Sequence, residues 1–169
     1  MTATDREALA EEIMTYVVTS LARKCLVLMA YDPATDLFWK LTEQTLRSQG
    51  FEPVRIDRTI ETGLILQIFL DKLLECDGVV ADVTGANPNV LYELGHAHAR
   101  GIVPLLCSSD AAQELPFYLN PHKVEIWNPD PEQGHHSLIQ VIEKYVEEIR
   151  RRTRRPLREG GVAGYKPSP

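Results

Sequence analysis

The sequence predicts a three-layer α/β/α fold around a five-stranded parallel sheet in the order 2-1-3-4-5. Three observations predict it. Five short apolar runs lie at 25–30, 53–57, 78–83, 102–107 and 123–127, and segments of helical periodicity stand between or beside them. The punctuation separating these stretches is mostly Asp, Asn, Gly and Pro, the residues of turns and caps. The chain has 169 residues, 44% apolar and 25% charged, which suits one domain with a sizeable core. Strands alternating with helices pair in parallel through right-handed crossovers, with helices on both faces. The simplest strand order for five such units is the flavodoxin-like one.

Each element has its own warrant. Residues 5–22 place Leu9, Ile13, Val17 and Leu21 four apart, so residues 1–23 read as an amphipathic helix packed on the domain. The run 25–30 is bounded by Lys24 and by Asp32-Pro33, as a buried strand is. Residues 36–49 carry Leu37, Leu41, Thr45 and Leu46 at helical spacing and stop at Gly50, a C-terminal cap. After the strand at 53–57, residues 60–76 return to helical spacing through Leu64, Ile68, Phe69 and Leu73. The strand 78–83 leads through a turn at Thr84-Gly85-Ala86 to Asn87-Pro88, an N-cap followed by proline at the first helical position. That helix runs to Gly101. Pro104 puts the strand 102–107 near an edge or a strand start. The strand 123–127 follows, and residues 137–152 form a closing helix with Leu138, Val141, Ile142, Tyr145, Val146 and Ile149 on one side. The domain is thus expected over 24–150, with 151–169 a basic, disordered tail.

Composition excludes several classes. No apolar stretch approaches the roughly 20 residues of a membrane span. The first residues, MTATDREALAEE, are acidic where a secretion signal is basic and then apolar, so a cytoplasmic location is expected. The formal charge of −6 is unevenly spread. Residues 150–169 hold Arg150, Arg151, Arg152, Arg154, Arg155, Arg158 and Lys166 against Glu159, leaving a strongly acidic body. Only the tail suits a nucleic acid or an anionic membrane surface. Cys25, Cys76 and Cys107 are far apart in sequence and read as buried, reduced thiols. Walker, dinucleotide-binding, zinc-protease, C-x-x-C and serine-elbow motifs are missing from the sequence.

In an open parallel sheet the ligand crevice lies beyond the carboxyl ends of the strands, where the order reverses. For the order 2-1-3 the flanking loops are 31–35 and 84–88. Polar residues concentrate there: Asp32, Asp82, Thr84, Asn87, Asn89, Tyr92 and Glu93, with Gly85 in the turn and Arg55 and Asp57 reaching from the second strand. Glu93 falls in the second turn of its helix, on a stripe with His96 and Arg100. That stripe reads either as a solvated face or as the wall of a site. Gly95, mid-helix, costs roughly 1 kcal/mol relative to Ala and points to close approach of backbone or ligand. His96 and His98 face nearly opposite ways, and no third ligand sits at a matching spacing, so no metal site is expected. The free N–H groups at 87–90 could take a phosphate. Arg55 could meet one too, or pair with Asp57 or Glu61. Tyr31 and Tyr92 could stack on a base or pack at a helix edge.

The block ADVTGANPNVLYELGHAHARG (81–101) resembles the D-x-T-x-x-N-P-N-V-x-Y-E-x-G-x-A-x-A-x-G pattern of the nucleoside 2-deoxyribosyltransferase-like branch of the TIR-related N-glycosidases. MAYDP (29–33), RIDRTIETGLILQI (55–68) and LPFYL (115–119) are similar to flanking segments of the same group. The resemblance spans about residues 25–128.

The resemblance implies N-glycosidic chemistry on a nucleoside, a nucleotide or NAD, with NAD as substrate and no cofactor. Glu93 would attack or stabilise the sugar C1′, and Asp82 would hold the sugar hydroxyls or protonate the leaving base. Asn87 and Asn89 would orient the ribose or phosphate. It also implies a homodimer or larger homo-oligomer, and a defence effector that a protein partner activates. Ala30 and Tyr31 depart from the proline and phenylalanine of the first loop, and Tyr118 from a frequent acid. The C-terminal residues that deoxyribosyltransferases lend to a neighbouring site have no counterpart, so hydrolysis is expected over transfer. The alternative is a non-catalytic nucleotide-binding module that senses a ligand and acts through a protein partner.

Overall fold

The structure is a computed structural model that describes residues 22–58, 64–110, 119, 122–130 and 135–154. Residues 1–21 of the expected N-terminal helix, Glu61, all but Leu119 of the LPFYL turn and the tail beyond 154 lie outside these residues.

The elements run β1 (Arg23–Leu28), α1 (Asp36–Ser48), β2 (Phe51–Val54), α2 (Ile65–Glu75), β3 (Gly78–Asp82), α3 (Pro88–Ala99), β4 (Leu105–Ser108), β5 (Val124–Ile126) and α4 (His135–Arg154). The five strands form one sheet in the order β2-β1-β3-β4-β5, and every pairing is parallel. This is the three-layer α/β/α arrangement read from the alternation of elements.

Side-chain alternation along the strands divides the core in two. Cys25, Val27, Met29 and Val80 face one layer, where Phe38, Trp39 and Leu46 of α1 pack with Leu138, Ile142 and Val146 of α4. Leu26, Leu28, Val79 and Ala81 face the other, against Ile68, Phe69 and Leu73 of α2 and Val90, Leu94 and Ala97 of α3. Most of these side chains are fully buried, each stabilising the fold by roughly 1.5–3 kcal/mol relative to exposure.

Several boundaries differ from expectation, each for a local reason. β1 stops at Leu28 rather than 30, because the Ala30 carbonyl accepts the Thr35 hydroxyl at 2.7 Å and turns the chain. β2 begins at Phe51 and ends at Val54, and Ile56–Arg58 forms a 3-10 turn where strand was expected. Pro53 is accommodated because β2 is an edge strand. In α1 the buried face is Phe38, Trp39, Thr42, Thr45 and Leu46, one position on from the expected Leu37–Leu41 stripe. Those leucines pack on its flank, since the larger aromatic rings take the core. β4 starts at Leu105, just past Pro104. α4 extends to Arg154, so residues 151–154 are its last turn rather than the start of a tail. Among the described residues no helix is long and apolar enough to cross a membrane. Cys25 and Cys107 are buried, Cys76 is half-buried, and all three are free thiols.

Candidate functional site

With β1 between β2 and β3, the carboxyl ends of β1 and β3 lie side by side at the reversal of strand order. Three segments meet at this edge: the loop after β1, the 3-10 turn after β2, and the turn from β3 into α3.

From the first two comes a cluster around Arg55. Its guanidinium is buried and makes a bidentate pair with Asp57, Nε to Oδ1 at 2.9 Å and Nη2 to Oδ2 at 2.6 Å. Its carbon lies 5.3 Å from the centre of the Tyr31 ring and 4.8 Å from that of Trp39. Cation–π attraction and the ion pair therefore fix the same group from two directions. The remaining nitrogen, Nη1, is enclosed without an acceptor among the described residues. Of the two partners considered for Arg55 from sequence, Asp57 is present, and Glu61 lies outside the described residues. Trp39 had no sequence signal for this role, being one bulky residue in an amphipathic helix.

Tyr31 is half exposed, and its phenol is pushed up to about 12 by burial of the hydroxyl, reinforced by the charges of Glu93 and Asp57. That field ties Tyr31, Asp57 and Glu93 to one neighbourhood. Glu93, in the second turn of α3, is half-buried and makes no hydrogen bond or ion pair among the described residues. Burial alone raises its carboxyl to about 7. An enclosed, unpartnered carboxyl beside a crevice is the kind of group that active sites hold ready.

On the β3 side, Asp82 is buried at the strand end. Its Oδ1 accepts from the Thr84 amide at 3.0 Å and the Thr84 hydroxyl at 2.5 Å. Burial pushes this carboxyl up, the two Thr84 bonds pull it down, and the nearby charge of Asp32 raises it further. The Thr84 hydroxyl in turn accepts from the Ser109 amide at 2.9 Å, which links the loops after β3 and β4. Ser109 went unnoticed in the sequence because an isolated serine after an apolar run carries no motif. Asp32 caps its own 3-10 turn through the Ala34 amide at 2.7 Å. Gly85 has φ +69°, a left-handed conformation that glycine adopts at little cost, and its turn bends β3 into α3.

The remaining candidates divide. The Asn87 carboxamide oxygen accepts from the Asn89 amide at 2.9 Å and the Val90 amide at 3.4 Å. The Leu91 amide bonds to the Asn87 carbonyl, and Pro88 has no N–H. The first turn of α3 therefore offers no vacant N–H for a phosphate, which corrects the sequence reading. Asn89 and Tyr92 are exposed. His96 packs edge-on against Tyr92, with ring centres 4.8 Å apart, and against Phe69 at 6.0 Å, and makes no bond to Glu93. A side chain at Gly95 would meet nothing within 4 Å among the described residues, so no described backbone presses on it. His98 is half-buried and stacks on His122 at 4.5 Å, away from the carboxyl-end loops. Burial and then His122 lower its pKa. Among the described residues no group of three or more His, Cys, Asp or Glu is placed to hold a metal.

No protein-family model matches this chain, and no curated protein matches it. Solved structures do match. One is a 2-deoxyribosyltransferase from the psychrotolerant bacterium Bacillus psychrosaccharolyticus, described as a biocatalyst for the synthesis of antiviral and antitumoral nucleosides. It superposes with a TM-score of 0.51 at 15% identity, over 60% of this chain and 84% of that one. At that identity the likeness is one of fold, and the chain has the fold of a 2-deoxyribosyltransferase.

Proposed function

We propose that the protein breaks the N-glycosidic bond of a nucleoside, a nucleotide or NAD, with Glu93 attacking or stabilising the sugar C1′. The observation that carries this reading is Glu93 itself: a half-buried carboxyl without a partner among the described residues, raised to about 7 by burial, at the reversal of strand order. Cleaving a C–N glycosidic bond builds positive charge at C1′, and a carboxylate held close in a partly dry site stabilises it. The carboxylate can go on to a covalent ester that water or a second base resolves. Asp82 holds the sugar hydroxyls or protonates the leaving base, and Tyr31, rigidly seated on Arg55, offers a ring for stacking. The fold shared with a 2-deoxyribosyltransferase supports the reading at the level of architecture. Water as acceptor, assembly as a homo-oligomer in the cytoplasm and a role as a defence effector belong to the same proposal, on the resemblance of residues 81–101.

The test is chromatography of nucleosides, their phosphates and NAD after incubation with the protein. Free base should appear with the wild type and fall by at least about 100-fold in a folded Glu93→Gln variant. Addition of a second free base separates transfer from hydrolysis. Base release that survives the substitution removes Glu93 from the mechanism, and binding without turnover favours a sensing module instead.

A further inference from the structure

Resting on the glycosidase reading, we infer that the preferred substrate is a nucleoside without a 5′-phosphate whose glycosidic nitrogen carries a positive charge. The argument begins with what rings the carboxyl ends of the strands. The loops after β1, β3 and β5 contain no Lys or Arg. The sequence of the loops after β2 and β4 holds Arg55, Arg58 and Lys123; Lys123 sits at the opposite end, just before β5, so Arg55 is the cation at this edge among the described side chains. Acids outnumber them, and four lie on the described elements of the crevice: Asp32, Asp57, Asp82 and Glu93.

A phosphate needs countercharge or free N–H donors, and the described side chains of this edge, which do not include that of Arg58, offer little of either. Arg55 is neutralised by its bidentate pair with Asp57. With that pair made and its Nη1 enclosed, it presents no unbalanced charge to a dianion. The N–H groups at the start of α3 are taken by Asn87. A dianion here meets the carboxyls of Asp32, Asp82 and Glu93, which have no cationic partner among the described residues, and partial burial strengthens the repulsion, whereas a cation is drawn in.

The chemistry agrees. When the glycosidic nitrogen is already cationic, the electron pair of the C1′–N bond neutralises it and the base leaves without taking a proton. A Glu93 oxygen forms the C1′–O bond; water then attacks C1′, that bond returns its pair to Glu93, and the proton lost by the water passes to solvent. No general acid is required. That suits a site in which Oδ1 of the second carboxyl, Asp82, is already taken as an acceptor by Thr84, leaving Asp82 the first of its two proposed roles, to hold the sugar hydroxyls.

The experiment measures base release from nicotinamide riboside, its 5′-monophosphate, NAD, 7-methylguanosine and guanosine, with the 2′-deoxy counterpart of each nucleoside. Each rate is divided by the uncatalysed rate, because cationic bases leave more readily without enzyme. Nicotinamide riboside should exceed its own 5′-phosphate and NAD by about tenfold or more in kcat/KM, and 7-methylguanosine should exceed guanosine after normalisation. Both ratios should shrink as salt is raised. Equal or faster turnover of the phosphorylated or neutral member overturns the inference and leaves the glycosidase reading intact. Release from none of the probes overturns both.

Discussion

At the scale of single residues, a carboxyl raised by burial links function to stability. The Glu93 side chain has an ordinary value near 4.5 that rises to about 7 in the fold, because ionising it leaves a charge partly withdrawn from water. Between these values the folded protein binds more protons than the unfolded chain, so stability falls as pH rises from about 4.5 to 7. Allowing for solvent screening of a half-buried group, the loss is on the order of 2 kcal/mol. Glu93→Gln should therefore raise the melting temperature by a few degrees at pH 8 and by much less at pH 5, checked by calorimetry at both. An equal gain at the two values would mean that the charge is not what strains the site. On the proposed mechanism the same titration sets the rate. A nucleophilic carboxylate must be ionised, so kcat/KM should climb with pH to a plateau above about 7. A profile flat from pH 5 to 8 would assign the attack to another group. The position of Glu93 in the second turn of α3 was legible in the sequence because its block is contiguous. Arg55 with Tyr31 and Trp39 was not, because β1–β2 pairing brings residues 31, 39 and 55 together and no linear spacing records which ring takes the guanidinium.

At the scale of elements, α3 shows how a local signal can be right in form and mistaken in use. Asn87-Pro88 announces a helix start, and the helix begins at Pro88 with Asn87 as its cap. Because the cap satisfies the amides of Asn89 and Val90 itself, the vacancy that would bind an anion is filled from within. Replacing Asn87 by Ala should cost about 1 kcal/mol in a urea titration, and replacing it by Ser only a few tenths. A loss as large for Ser as for Ala would show that the carboxamide serves more than the cap. The offset in α1 has a different origin. Apolar residues at 37, 38, 39, 41 and 46 give two overlapping stripes, and periodicity alone cannot rank them. The sheet ranks them by size, burying Phe38 and Trp39 and leaving Leu37 and Leu41 at the flank.

For the molecule as a whole, strand order was legible because alternation of strand and helix leaves few topologies open. The lock that closes the second layer was not. Tyr145 of α4 sends its hydroxyl to the amino ends of the strands, accepting from the Val79 amide at 3.0 Å and donating to the Val103 carbonyl at 2.9 Å. It thereby satisfies two backbone groups that no ladder pairing reaches, and burial raises its own pKa. Beside it Gly78 leaves room for the Tyr145 ring and the Ile149 side chain, where a Cβ would collide with Ile149 Cδ1 and press on the Tyr145 ring. This clamp lies at the end of the sheet opposite the crevice, so it should set stability without touching chemistry. Tyr145→Phe leaves a backbone N–H and C=O unpaired at a cost of about 1–3 kcal/mol, and Gly78→Ala overpacks the same spot by a similar amount. Both variants should unfold at lower denaturant while, at temperatures where they remain folded, base release per folded molecule stays at the wild-type level. Were Tyr145→Phe to lower kcat with stability intact, the two ends of the sheet would be coupled, and Glu93 would be positioned by the whole domain rather than by α3 and the loops around it.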